Sequence, residues 1–482
     1  MSDAATAGSS RVESVTERAC GVGGWRTEVE EVQREGWRFA GLWASRLGDR
    51  LELRTALTRG SGFLVLRCDS EDGRFQSIVD LVPGADWDER EAHDLYDAQL
   101  PARAPLRPLV EHTDDLSAWT VPVRGNDPFQ VAVGPIHAGV IESGHFRFHV
   151  VGERVLHLDL RLFYKHRGLE RAAEGRVPEQ ALPFLQRACA ADAVTNAIAF
   201  AQACEAAQGL WPAADLRRVR TLLLELERLY NHLNDIAAIC AGVGFAAGNM
   251  IFAALKERAQ RLNQGVAGHR FLFDTVRIGH SELRVSRADA GELRSALRAL
   301  RRDSDAAWRE LQFVGSAQER FEQVGVLSAD DALLLGATGP TARAAGLAID
   351  ARSHSPRLWY TGFSPAVPPA ATGDVAARME MRAVELAFSF DCLDELLAKS
   401  LLPAKAQPDR VPAAHGVSVV ESPRGQTLCA VRLDEGVVRR AHLRTGSYAN
   451  WPVLAHVVRD NLLPDFPLIN KSFELCYACA DR

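Results

Sequence analysis

The chain has 482 residues, a net charge of −6, 47% apolar residues and 24% charged residues. A folded protein of up to roughly three domains fits that composition, and the basic excess by which a nucleic-acid binder holds phosphates is missing. No apolar run approaches the roughly 20 residues a membrane-crossing helix needs, and Met1–Ser10 is small and polar without a hydrophobic secretory stretch. The expected location is therefore cytoplasmic, with no direct membrane insertion.

Residues 1–45 read as a variable leader. Leu51–Leu57, Phe63–Cys68 and Phe75–Leu81 are strand-like runs, separated by the turn-forming segments Arg59-Gly60-Ser61-Gly62 and Asp69-Ser70-Glu71-Asp72-Gly73. They predict a small antiparallel sheet within a first, α+β unit over 46–118. The charge-dense segment Asp86–Tyr96 reads as a solvated helix with Trp87 and Leu95 turned inward. Proline-bearing Leu100–Val123 reads as a linker.

A second unit, 119–482, opens with a hairpin. Phe146, Phe148 and Val150 alternate with polar residues, Gly152-Glu153 turns the chain, and Leu156, Leu158, Leu160 and Leu162 alternate back. Helices then dominate. One is predicted over Glu179–Ala207, with Pro183 in its first turns and Gly209 at its end. A second, Leu216–Ala241, stripes Leu222, Leu226, Leu229, Leu233 and Ile236 along one face, and a third covers Arg287–Gln312. Gly362–Gly373 and Ala404–Gly416 read as loops. Gly21-Val22-Gly23-Gly24 and Gly336-Ala337-Thr338-Gly339-Pro340 lack the context of a nucleotide-binding loop and read as turns.

Nine cysteines, an odd and scattered set, speak for reduced thiols over a disulfide framework. Cys476 and Cys479 stand three apart, as do Cys189 and Asp192. Side chains three apart on a helix are neighbours, so each pair can grip one ion from one side. Leu185, Cys189, Asp192, Asn196 and Ala199 step by three or four, which places the carboxylate on the cysteine stripe. The plainer alternatives are that the cysteines pack as small apolar residues and that Asp192 lies exposed on an amphipathic helix.

The run Gly134-Pro135-Ile136-His137-Ala138-Gly139-Val140-Ile141-Glu142-Ser143-Gly144-His145-Phe146-Arg147 resembles the opening of the nickel-iron hydrogenase large subunit, of the formate hydrogenlyase type in the energy-converting, complex I-related group. Concordant segments follow in order: Glu225-Leu226-Glu227-Arg228 with His232, Gly339-Pro340 with Arg343 and Gly346, Gly373-Asp374-Val375 with Arg378, and Glu421-Ser422-Pro423-Arg424-Gly425. Asp465–Phe473 leads directly into the cysteine pair. The first unit is similar to the 30 kDa subunit of complex I through Asp86-Trp87-Asp88-Glu89-Arg90-Glu91 and Pro105-Leu106-Arg107-Pro108. The resemblance implies a small α+β domain followed by a mainly α-helical domain with a β-rich opening. It also implies an oxidoreductase subunit on the cytoplasmic face of the membrane, with an iron-sulfur small subunit, antiporter-like membrane subunits and a formate dehydrogenase as candidate partners.

Carried over residue by residue, the resemblance sets four thiolates in the family's nickel-iron centre against Cys189, Asp192, Cys476 and Cys479 here. Asp192 falls on a bridging position, where an oxygen is a poorer donor to low-spin iron than a thiolate. Glu142 matches the family's proton-passing glutamate, and Arg424 matches the arginine held over the active site. An approach of Asp192 to Arg424 is expected. His137 and His145 read as structural hydrogen bonders or assistants to Glu142. Ile141 stands where complex I presents a histidine to quinone, so quinone binding is not expected. Arg482 lies where family precursors are cleaved after metal loading, which fits a processed form or a gene without that step. The alternatives to a nickel-iron enzyme are a non-catalytic coupling subunit and a site for another metal such as zinc.

Overall fold

The computed structural model describes residues 15–124, 127–138, 141–360 and 371–482. Strand β1 (Val15–Cys20), helix α1 (Trp25–Arg34) and strands β2 (Arg38–Leu47), β3 (Arg50–Arg59) and β4 (Gly62–Ser70) build one sheet in the order β1-β4-β3-β2. The antiparallel part runs β2-β3-β4, turned at Gly48 and Gly60, whose φ of 60° and 58° suit residues without a Cβ. Residues assigned above to the leader supply β1, α1 and most of β2, and β1 joins β4 in parallel.

Phe75–Leu81 forms no strand. Only an isolated bridge links Arg74 to Gln99, because the Glu89 carboxylate takes the Ile78 N–H at 2.7 Å and the Ser77 hydroxyl at 2.7 Å. That carboxylate sits on helix α2 (Asp86–Tyr96), which is not solvated as the charge pattern suggests. Asp88, Glu89 and Glu91 are buried, while Leu95 is 40% exposed. Buried charge persists only where it is paired, and each of these is. Asp88 accepts from the Leu42 N–H at 3.1 Å and from Arg444 at 2.8 Å; Arg103 reaches Glu89 at 2.9 Å; Arg482 pairs with Glu91. The charged helix is therefore the seam between the two units.

The second unit begins with the sheet β5 (Phe129–Val133), β6 (His145–Val151) and β7 (Arg154–Arg161), in which the predicted hairpin is present with Gly152 at φ 59°. The single helix predicted over 179–207 is two: α3 (Pro178–Gln186) and α4 (Ala193–Ala207). Helices α5 (Ala214–Gly242), α6 (Ala246–Ala267), α7 (Arg287–Gln312) and α8 (Val375–Leu396) follow. α7 starts where Ser286 and Asp289 form a reciprocal cap, and α5 is buried on nearly every side. The predicted loop over 404–416 contains a strand, Ala404–Pro408, paired with Leu210–Pro212 and His280–Ser281. Of the other predicted loop, Gly362–Gly373, residues 362–370 lie outside the described residues.

The meander β8 (His415–Ser422), β9 (Gly425–Asp434) and β10 (Val437–Arg444) lies against the first unit. Trp43, Phe63 and Val65 pack there on Val417, Leu428 and Ala430. Helices α9 (Gly446–Val457), α10 (Phe466–Phe473) and α11 (Tyr477–Asp481) end the chain. A small α+β domain thus precedes a larger, mainly helical one with β-rich segments near its start and finish.

Candidate metal centre

The break between α3 and α4 is held open by side chains that claim its backbone. Tyr230 donates to the Ala190 and Ala191 carbonyls at 3.0 and 3.2 Å, Asn231 to Ala191 at 2.8 Å, and Arg167 to Ala188 at 2.7 Å. The Cys189 sulfur accepts the Asp192 N–H at 3.2 Å. At the other end of the chain the same device recurs. Cys476 caps α11, its sulfur accepting the Cys479 N–H at 3.4 Å. Cys476 thus does what a serine or aspartate does at a helix start, while Cys189 closes the turn that leads to Asp192, the residue before α4. Ser447 receives the Cys476 N–H at 3.1 Å and Thr445 donates to the Cys479 carbonyl at 3.1 Å, which fixes the second turn on α9.

The two turns face each other. The sulfurs of Cys189 and Cys479 are 2.8 Å apart, and those of Cys189, Cys476 and Cys479 all lie within 4.8 Å of one another. Asp192 Oδ2 stands 3.4 Å from the Cys479 sulfur and 3.9 Å from that of Cys189. Asp192 is fully buried, and its Oδ1 has no hydrogen-bond partner. Burial pushes this carboxyl up to about 6, against the pull of the Arg424 charge. Hydrogen bonds from the Cys189 and Cys479 thiols hold Cys476 well below the usual thiol range, while Cys189 and Cys479 are pushed above it.

Arg424 donates to the Glu474 carbonyl at 2.6 Å and to Asp235 Oδ2 at 3.1 Å, and its charge also lies 3.0 Å from Asp235 Oδ1 as an ion pair. Its side-chain hydrogen bonds thus go to Glu474 and Asp235, and its charge acts on Asp192. Asp235 also meets Arg382 at 2.9 Å and His232 at 3.7 Å; His232 passes to Glu385 at 3.0 Å, which Arg343 grips in turn. Glu227 receives the Val194 and Thr195 N–H groups at 2.6 and 3.0 Å and the Thr195 hydroxyl at 2.6 Å. Burial, aided by the nearby Asp192 charge, still pushes its carboxyl up to about 8.

Asp235, Tyr230 and Asn231 are site residues that the sequence reading misses. A signal was available: with Glu227 and His232 they are polar residues recurring three or four apart on a helix whose other residues are mostly apolar.

Glu142 reaches the same place from the β-rich opening. Half-buried, it accepts the Ala478 N–H at 2.8 Å, inside the second cysteine turn. Burial raises its carboxyl, and the Cys476 charge adds to the rise. His137 bonds the Gly144 carbonyl at 2.8 Å, a structural contact; the His145 ring lies 5.2 Å from that of Trp119, and its Nε2 is unpartnered. Glu91, Glu170 and His442 form another compact set of donors. There the cation is already supplied, by Arg482 on Glu91 and by Arg440 and Arg482 on Glu170.

The sequence pattern of the family described as respiratory-chain NADH dehydrogenase, 49 Kd subunit, matches residues 242–407 and 402–482. The chain belongs to that family. Its first unit matches the family of the 30 Kd subunit of the same dehydrogenase over residues 34–130, so the protein is a fusion of the two. Formate hydrogenlyase subunit 5 of Escherichia coli (strain K12) is 28% identical over 447 residues, covering 86% of this chain and 78% of that protein. The carbon monoxide-induced hydrogenase of Rhodospirillum rubrum is 28% identical over 362 residues, with 73% and 99% covered. A chain of the membrane-bound sulfane sulfur reductase, an archaeal respiratory membrane complex, superposes with a TM-score of 0.68 at 25% identity, covering 74% of this chain and 99% of that one. This member of the 49 kDa family is a hydrogenase- and complex I-related oxidoreductase subunit with a three-cysteine cluster. Among the described residues, no helix is long and apolar enough to cross a membrane.

Proposed function

We propose that the protein is the large subunit of a membrane-associated, formate hydrogenlyase-like or complex I-like complex, and that its metal site is a mixed cage of Cys189, Cys476, Cys479 and Asp192. The observation that carries this reading is the buried Asp192 carboxylate, with one oxygen beside the Cys479 and Cys189 sulfurs and the other unpartnered. An orphaned buried oxygen costs roughly 1–3 kcal/mol or more, and a cation beside it removes that cost. Three thiols and a carboxylate form a donor set that fits a soft or borderline metal.

A nickel-iron centre bound there would supply the joining of two electrons and two protons to hydrogen. In that case Glu142, hydrogen-bonded to the turn between Cys476 and Cys479, is the group that takes or gives a proton beside the Cys476 sulfur. Arg424, braced by Asp235 and the Glu474 carbonyl, holds positive charge over the cage and excludes water from one side. Electrons would arrive from an iron-sulfur small subunit, with antiporter-like membrane subunits and a formate dehydrogenase as further partners.

The oxygen donor favours one second reading, zinc on three sulfurs and one carboxylate. Elemental analysis of the purified protein separates the cases. Equimolar nickel and iron with infrared bands of bound diatomic ligands support the first reading, and zinc alone supports the second. A metal-free protein that still assembles with its membrane partners would leave a coupling subunit.

A further inference from the structure

A different pair of thiols lies in the amino-terminal sheet. Where β1 runs parallel to β4, Cys20 is the register partner of Cys68. Partners in neighbouring strands point to the same face with backbones about 4.8 Å apart, within the Cα separation a disulfide spans. The Cys20 thiol donates to the Arg67 carbonyl on β4 at 3.5 Å, and the neighbouring Cys68 side chain draws the Cys20 thiol below its usual range. Cys68 is fully buried in the core that α1 covers with Trp25, Val29 and Val32, and Cys20 packs at the rim of that core.

The way in is through Gly21-Val22-Gly23-Gly24, which is the turn from β1 into α1. A Cβ added at Gly21 or Gly23 would meet nothing within 4 Å, so this turn leaves open space beside Cys20. Thr16, Glu17, Arg18 and Ala19 on the preceding strand are exposed. Cys204, Cys240, Cys392 and Cys429 are by contrast fully buried. Away from the metal cluster, Cys20 is thus the one cysteine with partial exposure among the described residues.

We propose that Cys20 and Cys68 are an oxidisable dithiol, with Cys20 as the attacking sulfur and Cys68 as the resolving one, that consumes a peroxide and closes to a disulfide. The Cys20 thiolate attacks a peroxide oxygen, forming an S–O bond as the O–O bond breaks and hydroxide leaves to become water. The Cys68 sulfur then attacks the Cys20 sulfur, the S–O bond breaks, and the Cys68 proton departs with the hydroxyl as a second water. Two thiols lose two electrons and two protons, and one hydrogen peroxide becomes two waters. The product staples β1 to the sheet across a long loop, which restricts the unfolded chain, and thiols of the glutathione class can reopen it.

The experiment exposes the full chain to hydrogen peroxide, blocks remaining thiols under denaturing conditions and maps the peptides by mass. The expected product is a peptide pair linked through Cys20 and Cys68, two hydrogens lighter than the reduced pair and absent after dithiothreitol. The oxidised protein should melt higher than the reduced one. Cys68→Ser should halt Cys20 at the sulfenic acid, captured by a 1,3-dione, and Cys20→Ser should leave Cys68 unmodified. Cys20 that stays reduced, or that proceeds to sulfinic acid in the wild-type chain with no linked peptide, would overturn the proposal. So would oxidation of Cys68 in Cys20→Ser.

Discussion

The Cys189–Asp192 turn and the Cys476–Cys479 turn use one backbone device, a sulfur accepting the N–H three residues on, yet they end in different chemistry. The second turn closes on a thiol. The first closes on a carboxylate whose Oδ1 is orphaned, and its charge adds to the burial that pushes Glu227, one helix over, up to about 8. The supports differ as well. The first turn hangs from α5 through Tyr230 and Asn231, the second from α9 through Ser447 and from the β-rich opening through Glu142. Local geometry is thus interchangeable between the two, while donor type is not.

The comparison can be broken most sharply at the sulfur that touches both turns. Cys479 meets Cys189 and Asp192, so Cys479→Ala should reduce bound metal to background in elemental analysis, whereas equal metal content would remove the cluster from consideration. Asp192→Cys would make the turns alike. It should raise affinity for a soft metal by about 10-fold or more in chelator competition, on the scale by which ligand-shell changes tune such sites.

Glu227 tests the electrostatic adjustment. Its folded carboxyl titrates at about 8, above the ordinary 4.5, so the folded state holds the proton longer than the unfolded one and stability falls as pH rises between these values. Relative to Glu227→Gln, the metal-free wild type should lose up to about 1.4 kcal/mol per pH unit in that window, read by urea unfolding. Parallel pH profiles would show that Glu227 is ionised throughout.

The smallest effect concerns the supports. Tyr230→Phe deletes the one O–H donor that the Ala190 and Ala191 carbonyls share, worth about 1 kcal/mol. Amide exchange should quicken at Asp192 and stay unchanged at Cys479; faster exchange at both would mean that the turns are not separately held.

Much of the fold is legible in the sequence where the information is local. The hairpin of β6 and β7 and the bounds of α7 follow from alternation and from a capping serine, which depend on neighbours a few residues away. The failures share a cause. An unbroken helix over 179–207 is a sound reading of propensity, but Tyr230, Asn231 and Arg167 take the carbonyls that would have continued it. The charges of Asp86–Tyr96 read as solvated because their partners, Arg444 and Arg482, lie hundreds of residues away. The polar spacing that marks Asp235 on its helix does not say which distant side chain it meets, and Arg424, whose charge also acts on Asp192, hydrogen-bonds it.

What the sequence alone determined is the donor inventory: two pairs spaced by three, three sulfurs and one oxygen, with a glutamate and an arginine in motifs of their own. Spacing by three sets the shape of each turn because helix starts are made by contacts within four residues. Only the tertiary structure decided that Asp192 and Cys479, 287 residues apart, meet at 3.4 Å, and that the carboxylate is dry. Such a meeting is set by how α5 and α9 pack and by which distant side chains claim the intervening backbone, and no local rule encodes either.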